Sequence, residues 1–345
     1  MSFSGSEIQA ELAFAAQSAE GEAGGGGDVP PGIGPYKLAW RRLRRNKVAM
    51  FFGGVFILVV VVCLLAPVYS SDVAHIGPNT GNLTGQIKVG GKLEYVLSLQ
   101  GLPIGPTWDI HHYFLGADTN GRDVAVRLLY GGRSSLYIGV IAMLITMVFG
   151  TALGIIAGYF RGWLDGIISR FSDLVWSYPA VLLGITLGTV LNVRGLWIFH
   201  STTLLTTALV VGFVYIPYVV RPIRAQVLTL REREFVDAAR QQGLGNIRIM
   251  FSEILPNVAS TIIIFVPLIL ANAILLEAAL SYLGAGVQAP NSTWGTMIQA
   301  GLQTFPGAFH TVLAPGIMLV IAVMSVNIFG DGLRDALDPR SKAAV

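Results

Sequence analysis

The chain has 345 residues, 53% of them hydrophobic and only 12% charged, with a formal net charge of +3. An ordinary soluble domain carries about 25% charged residues. Here the apolar residues gather into blocks of about 20, the length a helix needs to cross a hydrocarbon core of about 30 Å. This excludes a soluble globular enzyme and predicts an all-α integral membrane protein.

Residues 1–35 are of a different material, with Glu7, Glu11, Glu20, Glu22, Asp28, a GGGG run and few large apolar groups. Such a segment cannot offset its ordering entropy by burial, which predicts a disordered tail. It lacks the positive and apolar regions of a signal peptide. Residues 36–48 are basic, with six cations in "YKLAWRRLRRNK". Beside a membrane span this cluster reads as a topology determinant and lipid-headgroup contact rather than a nucleic-acid site.

Six spans follow, at about residues 49–69, 135–159, 174–191, 203–220, 258–283 and 312–329. Runs such as "MFFGGVFILVVVVCLLAPV" do not alternate in polarity as barrel strands do. Cys63, the only cysteine, lies in the first span and excludes an intramolecular disulfide and a CxxC metal site. Residues 70–134 form a long connection in which "QIKVGGKLEYV" predicts a β-hairpin with a two-residue Gly-Gly turn. That hairpin reads as a small cap that helps to receive a binding protein, or as an insertion that only covers neighbouring loops. His111 and His112 diverge and His75, His200 and His310 are isolated, so no metal site is expected.

In the second span Gly150, Gly154 and Gly158 form a tandem GxxxG ridge against which a neighbouring helix can approach closely. A contact within the chain is favoured over a seam between subunits. Tyr215 and Tyr218 flank Pro217 in the fourth span and either line a polar path or anchor a kink. Asn272 and Glu277 lie in the fifth. A carboxylate there is costly unless it faces a cavity or a partner, so Glu277 is either paired at a gate or in contact with substrate.

Between spans four and five, residues 231–257 interrupt the apolar pattern. Arg231 to Gln242 favours helix, with Phe235, Ala238, Ala239 and Gln242 on one stripe. Gly243 and Gly245 stop that helix. Asn246 is the expected N-cap of a second short helix, whose Ile247, Phe251 and Ile254 recur at helical spacing before Pro256 ends it. No phosphate-binding loop of the form G-x-x-x-x-G-K-[ST] occurs, so ATP or Mg, if used, is bound by another subunit.

With both termini on one side, that side collects 17 of the 23 Lys and Arg residues and the other side six. By the positive-inside rule both termini and residues 231–257 are cytoplasmic.

The 231–257 loop resembles the signature of inner-membrane permeases of binding-protein-dependent ABC importers: Glu-Ala-Ala, three residues, Gly, nine residues, then Ile-x-Leu-Pro. Asp237, Ala238, Ala239 and Gly243 match its first half, Leu255 and Pro256 its second. Asp stands for the motif's Glu, and Glu253 stands where Ile belongs. The stretches "FLGADTNGRDVAVRLLYGGRSSLYIG", "LEAALSYLGAGVQAPNSTWGTMI" and "NIFGDGLRDALDPR" resemble the C-type subunit of the dipeptide/oligopeptide branch.

The resemblance, over about residues 36–342, implies the MetI-like fold of type I ABC importer permeases with the hairpin as an insertion. It implies residence in a bacterial inner membrane, a second homologous permease, a pair of cytoplasmic ATP-binding subunits and an extracytoplasmic substrate-binding protein. The coupling loop would comprise Glu234, Phe235, Asp237, Ala238, Ala239, Gly243, Leu244, Leu255 and Pro256, docked on an ATPase; Gly243→Pro or a bulky residue at Ala239 is then expected to uncouple the protein. Cargo would be di- or oligopeptides, or nickel or another small solute as in some relatives. A secondary transporter working without ATP is the reading from another class, and would lead one to expect carboxylates in several spans.

Overall fold

The computed structural model describes residues 35–194 and 204–337. Residues 1–34 of the predicted disordered tail lie outside the described residues, as do residues 195–203 and 338–345; the tail's last residue, Pro35, opens the first helix. Helix α1 (Pro35–Arg45) is followed by α2 (Lys47–Leu64), β1 (Gln86–Val89), β2 (Lys92–Tyr95), α3 (Val124–Phe160), α4 (Gly162–Ser177) and α5 (Ala180–Arg194). After these come α6 (Leu204–Leu230), α7 (Glu234–Gln241), α8 (Asn246–Ile249), α9 (Leu255–Tyr282), α10 (Trp294–Gly301) and α11 (His310–Leu337). Among the described residues five stretches are long and apolar enough to cross a membrane, and six with the bent pair α4 and α5 counted as one span.

The expected third span differs most from the structure. It is not one helix over 174–191 but two, meeting at a 94° bend. Pro179 supplies the reason. The residue before a proline is driven out of the helical region, and Tyr178 is extended (φ −94°, ψ 138°). The connection between the expected second and third spans is mostly helical, being the start of α4, entered through a sharp break at Arg161 and Gly162, both with positive φ. The fourth span also runs ten residues beyond its expected end at 220. Its cations there are matched by acids of α4: Arg221 pairs with Asp173 at 2.7 Å, and Arg224 grips Asp165 with Nη2 to Oδ2 at 2.7 Å.

The centre of the bundle is α3, 37 residues and so about 55 Å long. It begins before the expected residue 135 because Asp123 caps it, accepting from Val126 N at 3.1 Å. The glycine ridge packs within the chain, against α6. A Cβ at Gly150 would lie 2.6 Å from Val219 Cβ, one at Gly154 2.9 Å from Ile223 Cβ, and one at Gly158 2.7 Å from Val227 Cβ. Thr146 Oγ1 donates to Gly212 O across the same seam at 2.8 Å. The α2 helix lies against α11, where Gly53 faces the ring of Phe329, and Leu43 of α1 packs with Ala49 and Ala336.

The hairpin forms as expected, β1 and β2 antiparallel with Val89 opposite Lys92. Gly90 and Gly91 take positive φ (56° and 86°), which a two-residue turn of this hand requires. Only β1 alternates in burial, however, and β2 is exposed throughout. Ile87 reaches a small core of Val96, Tyr113 and Ala117. This core is fixed to the start of α3 by Asp123, whose other oxygen accepts from Tyr113 N at 2.9 Å. Burial pushes the Asp123 carboxyl above the usual carboxylate range, against the opposing pull of these backbone donors. Asp118 binds Arg122 at 2.8 Å and Arg127 at 3.4 Å, and Arg127 donates to Pro78 O at 3.0 Å. The hairpin thus sits at the first turn of α3, and residues 231–257 sit at its last.

Candidate functional site

The charged segment is built on the end of α6. Arg233 leaves the helix with extended geometry and α7 begins at Glu234. Two of its residues face inward, Val236 fully buried and Ala239 only 5% exposed, in a cluster with Tyr159, Ile223, Val227, Ile249 and Ile254. Glu234, Phe235, Asp237 and Ala238 face outward, Phe235 being 37% exposed. The expected stripe of Phe235, Ala238, Ala239 and Gln242 is therefore split. Ala239 is a seating residue of the bundle, so a bulky group there would disturb the fold rather than an external contact. Periodicity finds an apolar stripe but does not say which of two adjacent stripes the rest of the chain covers.

Gly243 turns the chain with φ +80°, and no atom lies within 4 Å of the position its Cβ would take. The requirement is for backbone conformation, not space. Its N–H bonds to Arg240 O at 2.9 Å and Leu244 N to Ala239 O at 3.2 Å, which closes α7. Leu244 and Leu255 pack against the inner cluster. Asn246 is not the N-cap. Gly245 holds that place, and the Asn246 side chain instead accepts from Tyr159 Oη at 3.0 Å. Nor does Pro256 end a helix. The chain passes through a π turn at Met250–Ile254 into α9, where Pro256 occupies the first turn, whose N–H groups have no intrahelical partner to lose.

Tyr159 gathers the segment onto the end of α3. Its carbonyl accepts from Arg231 Nη1 at 2.7 Å, its hydroxyl bonds Asn246, and the Arg240 guanidinium lies 5.7 Å from its ring centre. Arg161 pairs with Glu232. Asp237 pairs with Arg240 on its own helix at 3.0 Å. The segment that carries α7 is thereby joined to α3, and through the buried cluster to α6 and α9.

Of the residues considered for a path, Tyr215 and Tyr218 meet edge to face with ring centres 5.3 Å apart, while Asn272 and Glu277 bond to other groups. Tyr215 is buried in the core with Val210, Val214, Leu276 and Leu280. Tyr218 is exposed and stacks on Trp176 with centroids 4.5 Å apart, and Arg221 covers the same indole at 3.9 Å. These groups adjoin the break in the third span, beside a cavity of about 320 Å³ lined by Tyr178, Pro179 and Pro217. Asn272 donates its amide to Leu268 O of its own helix at 2.8 Å. Glu277 is fully buried. Its two oxygens accept from Ser135 Oγ at 2.9 Å and Ser281 Oγ at 2.7 Å. Ser135 Oγ also accepts from Trp294 N at 3.3 Å, and Ser281 Oγ from Val287 N at 3.2 Å. The carboxyl group thus joins α3, α9 and the start of α10.

A family model described as binding-protein-dependent transport system inner membrane component matches residues 150–343. The chain belongs to that family. A second model, the N-terminal TM domain of oligopeptide transport permease C, matches residues 34–83 of the permease. Among curated relatives, the dipeptide transport system permease protein DppC of Alkalihalophilus pseudofirmus is 36% identical, over 90% of this chain and 92% of its own. The di/tripeptide transport system permease protein DppC of Pseudomonas aeruginosa is 33% identical, over 90% and 94%. The glutathione transport system permease protein GsiD of Pectobacterium atrosepticum is 30% identical, over 90% and 92%. In fold the permease is similar to a chain of the MetNI methionine ABC transporter in an inward-facing conformation, with TM-score 0.51 and 17% identity over 61% of this chain and 96% of that one.

The permease is thus a multi-pass inner-membrane transport component with the expected MetI-like core. The matched regions contain α1, α2 and everything from the glycine ridge onward, including α7 and its glycine turn; the hairpin lies between them. Reading the sequence missed Tyr159, Ser135, Ser281, Trp176 and Arg221. Tyr-Pro at 178 and 179 carried a readable signal for the break. Nothing local marked Ser135, whose role depends on a residue 142 positions away.

Proposed function

We propose that this chain is the permease subunit of an ATP-driven importer of di- and oligopeptides, and that α7 is the element through which ATPase closure moves the bundle. The observation that carries this reading is the two-sided build of α7: Val236 and Ala239 root it in the bundle, while Glu234, Phe235, Asp237 and Ala238 face away from it. An exposed face of small and charged groups suits close docking on a chosen partner. The positive-inside distribution puts this segment and both termini in the cytoplasm. A pair of ATPase subunits there binds ATP and Mg, a second homologous permease completes the pathway, and a binding protein delivers cargo from the opposite side. The chain itself performs no chemistry on its substrate. The names of the relatives, which concern dipeptides, tripeptides and glutathione, favour short peptides over a metal ion. Differential affinity of ATP and loaded receptor for the two states of the complex drives alternation between them.

The test is purification of the complex from native membranes in mild detergent, identification of its subunits by mass, and an ATPase assay with and without short peptides. Recovery of ATPases and a second permease with peptide-stimulated hydrolysis is expected; a chain that moves solute in proteoliposomes without ATP would overturn the proposal. With the complex reconstituted in proteoliposomes, Ala238→Trp is expected to leave insertion and melting temperature unchanged and to lower ATP-driven peptide uptake about tenfold, the effect of about 1.4 kcal/mol lost at the docking surface. Unaltered uptake in that variant would remove α7 from the coupling role.

The hairpin has its own test. Val96 N bonds Gly85 O at 3.0 Å, so the chain ends left by excising residues 86–95 already meet. If the hairpin helps to receive the binding protein, the excised form folds, takes up peptide normally at saturation and falls short at limiting peptide. Equal uptake at both concentrations would reduce the hairpin to a cover for its neighbours.

A further inference from the structure

Between α2 and α3 the protein surface carries a groove of about 800 Å³ that takes no part in the coupling segment or the glycine seam. Its walls include Phe56, Val60 and Leu64 from α2, Tyr137 and Val140 from α3, and Leu204 at the start of α6. Tyr130, Arg133 and Ser134 stand at one end, and no carboxylate is among the lining residues. The size lies within the range of about 300 to 1,000 Å³ typical of small-molecule sites.

Arg133 is the unusual member. It is exposed and makes no hydrogen bond or ion pair with any described residue. Its neighbours at this end of α3 differ, Arg122 and Arg127 both being tied to Asp118. Its depth follows from helix geometry. From Arg133 to Arg161, which caps the other end of α3, are 28 residues and so about 42 Å. That matches the span of about 40 to 45 Å between the two headgroup layers of a bilayer. With α3 close to the bilayer normal and Arg161 at one layer, Arg133 stands at the other, on the hairpin side. Tyr130 and Tyr137 flank it, as aromatic side chains do at a membrane interface. Below it the groove runs toward the bilayer centre with apolar walls.

We propose that this groove is a binding site for one anionic glycerophospholipid of the hairpin-side leaflet. The phosphate lies on Arg133 within reach of the Tyr130 hydroxyl, and an acyl chain fills the space between α2 and α3. The occupant is argued from charge and depth: a cation with no partner among the described residues stands at phosphate level over an apolar trough whose lining offers it no acid. A zwitterionic lipid would supply the chain but no net charge to match. A helix from a partner subunit would have to bring a carboxylate to this level.

The experiment uses the full-length chain in the complex extracted from native membranes, reconstituted with mixtures of phosphatidylglycerol and phosphatidylcholine. Native mass spectrometry then counts the lipids retained during stepwise delipidation. Arg133→Gln is expected to lower retained phosphatidylglycerol about fivefold, the factor contributed by one cation near a charged membrane surface. Arg133→Lys keeps most of it. Val140→Trp, which fills the trough without touching the charge, lowers retention of either lipid there. The proposal is overturned if Arg133→Gln retains phosphatidylglycerol like the unaltered protein, or if the two lipids are retained equally. It is likewise overturned if a structure of the complex shows Arg133 paired with a carboxylate of another subunit. The readout is lipid bound, so its failure leaves the transport reading intact.

Discussion

Gly154→Leu is expected to leave little folded permease. The position lies in the middle of the seam between α3 and α6, where even a Cβ would come within 2.9 Å of Ile223 Cβ and Cγ2 and 3.0 Å of Val220 O. Two of those contacts are branched side-chain atoms fixed close to the backbone and the third is a carbonyl, so none can swing aside. The helices must move apart, and with them the contacts at Gly150 and Gly158. Overpacking of a tight core costs about 1 to 3 kcal/mol per site; here separation also forfeits the van der Waals contact that holds helices together in lipid, which puts the total at the upper end. Monodisperse protein after detergent extraction, measured by size-exclusion chromatography, should fall sharply. Gly154→Ala should be milder, and adding Ile223→Ala should recover part of the loss by removing Cγ2. A Gly154→Leu protein with the yield and melting temperature of the original would show that the seam is not close-packed.

The second large effect is expected at Glu277. Glu277→Ala removes the shared acceptor of Ser135 and Ser281 from a fully buried site. Unmade buried hydrogen bonds and the space left by the side chain together cost about 2 to 4 kcal/mol. Glu277→Gln keeps the volume and one carbonyl acceptor, and its amide can donate to a serine oxygen, so it should cost less than about 1 kcal/mol, in line with single interhelical hydrogen bonds in membranes. Thermal unfolding of the solubilised complex separates the two variants. Transport per folded complex decides the role. A joint between α3, α9 and α10 predicts unchanged turnover in Glu277→Gln, whereas lost uptake at unchanged melting temperature would make the carboxyl group a contact for the cargo.

Much of the fold was legible because its signals are local. Twenty apolar residues in a row state a span wherever they occur, Gly-Gly between short alternating arms states a turn, and three glycines at intervals of four state a close helix contact. Gly243 was legible for the same reason, since the short helix had to end and no other residue takes φ +80° as freely. The break at Tyr178 and Pro179 was legible too, but hydropathy over a window of span length conceals it.

What the sequence by itself determined is thus the membrane class, the count of spans, the hairpin and the place of the charged segment. Only the tertiary structure decided that Ala239 faces the bundle and Ala238 the outside, that Asn246 serves Tyr159 rather than the start of a helix, and that Glu277 is met by two serines. It alone decided that Arg133, at an apolar groove, has no partner among the described residues while Arg127 is held by Asp118. The physical reason is the same in each case. A helix fixes which residues share a face through its period of 3.6 residues, but the neighbour that each face meets is set by packing between segments far apart in the chain.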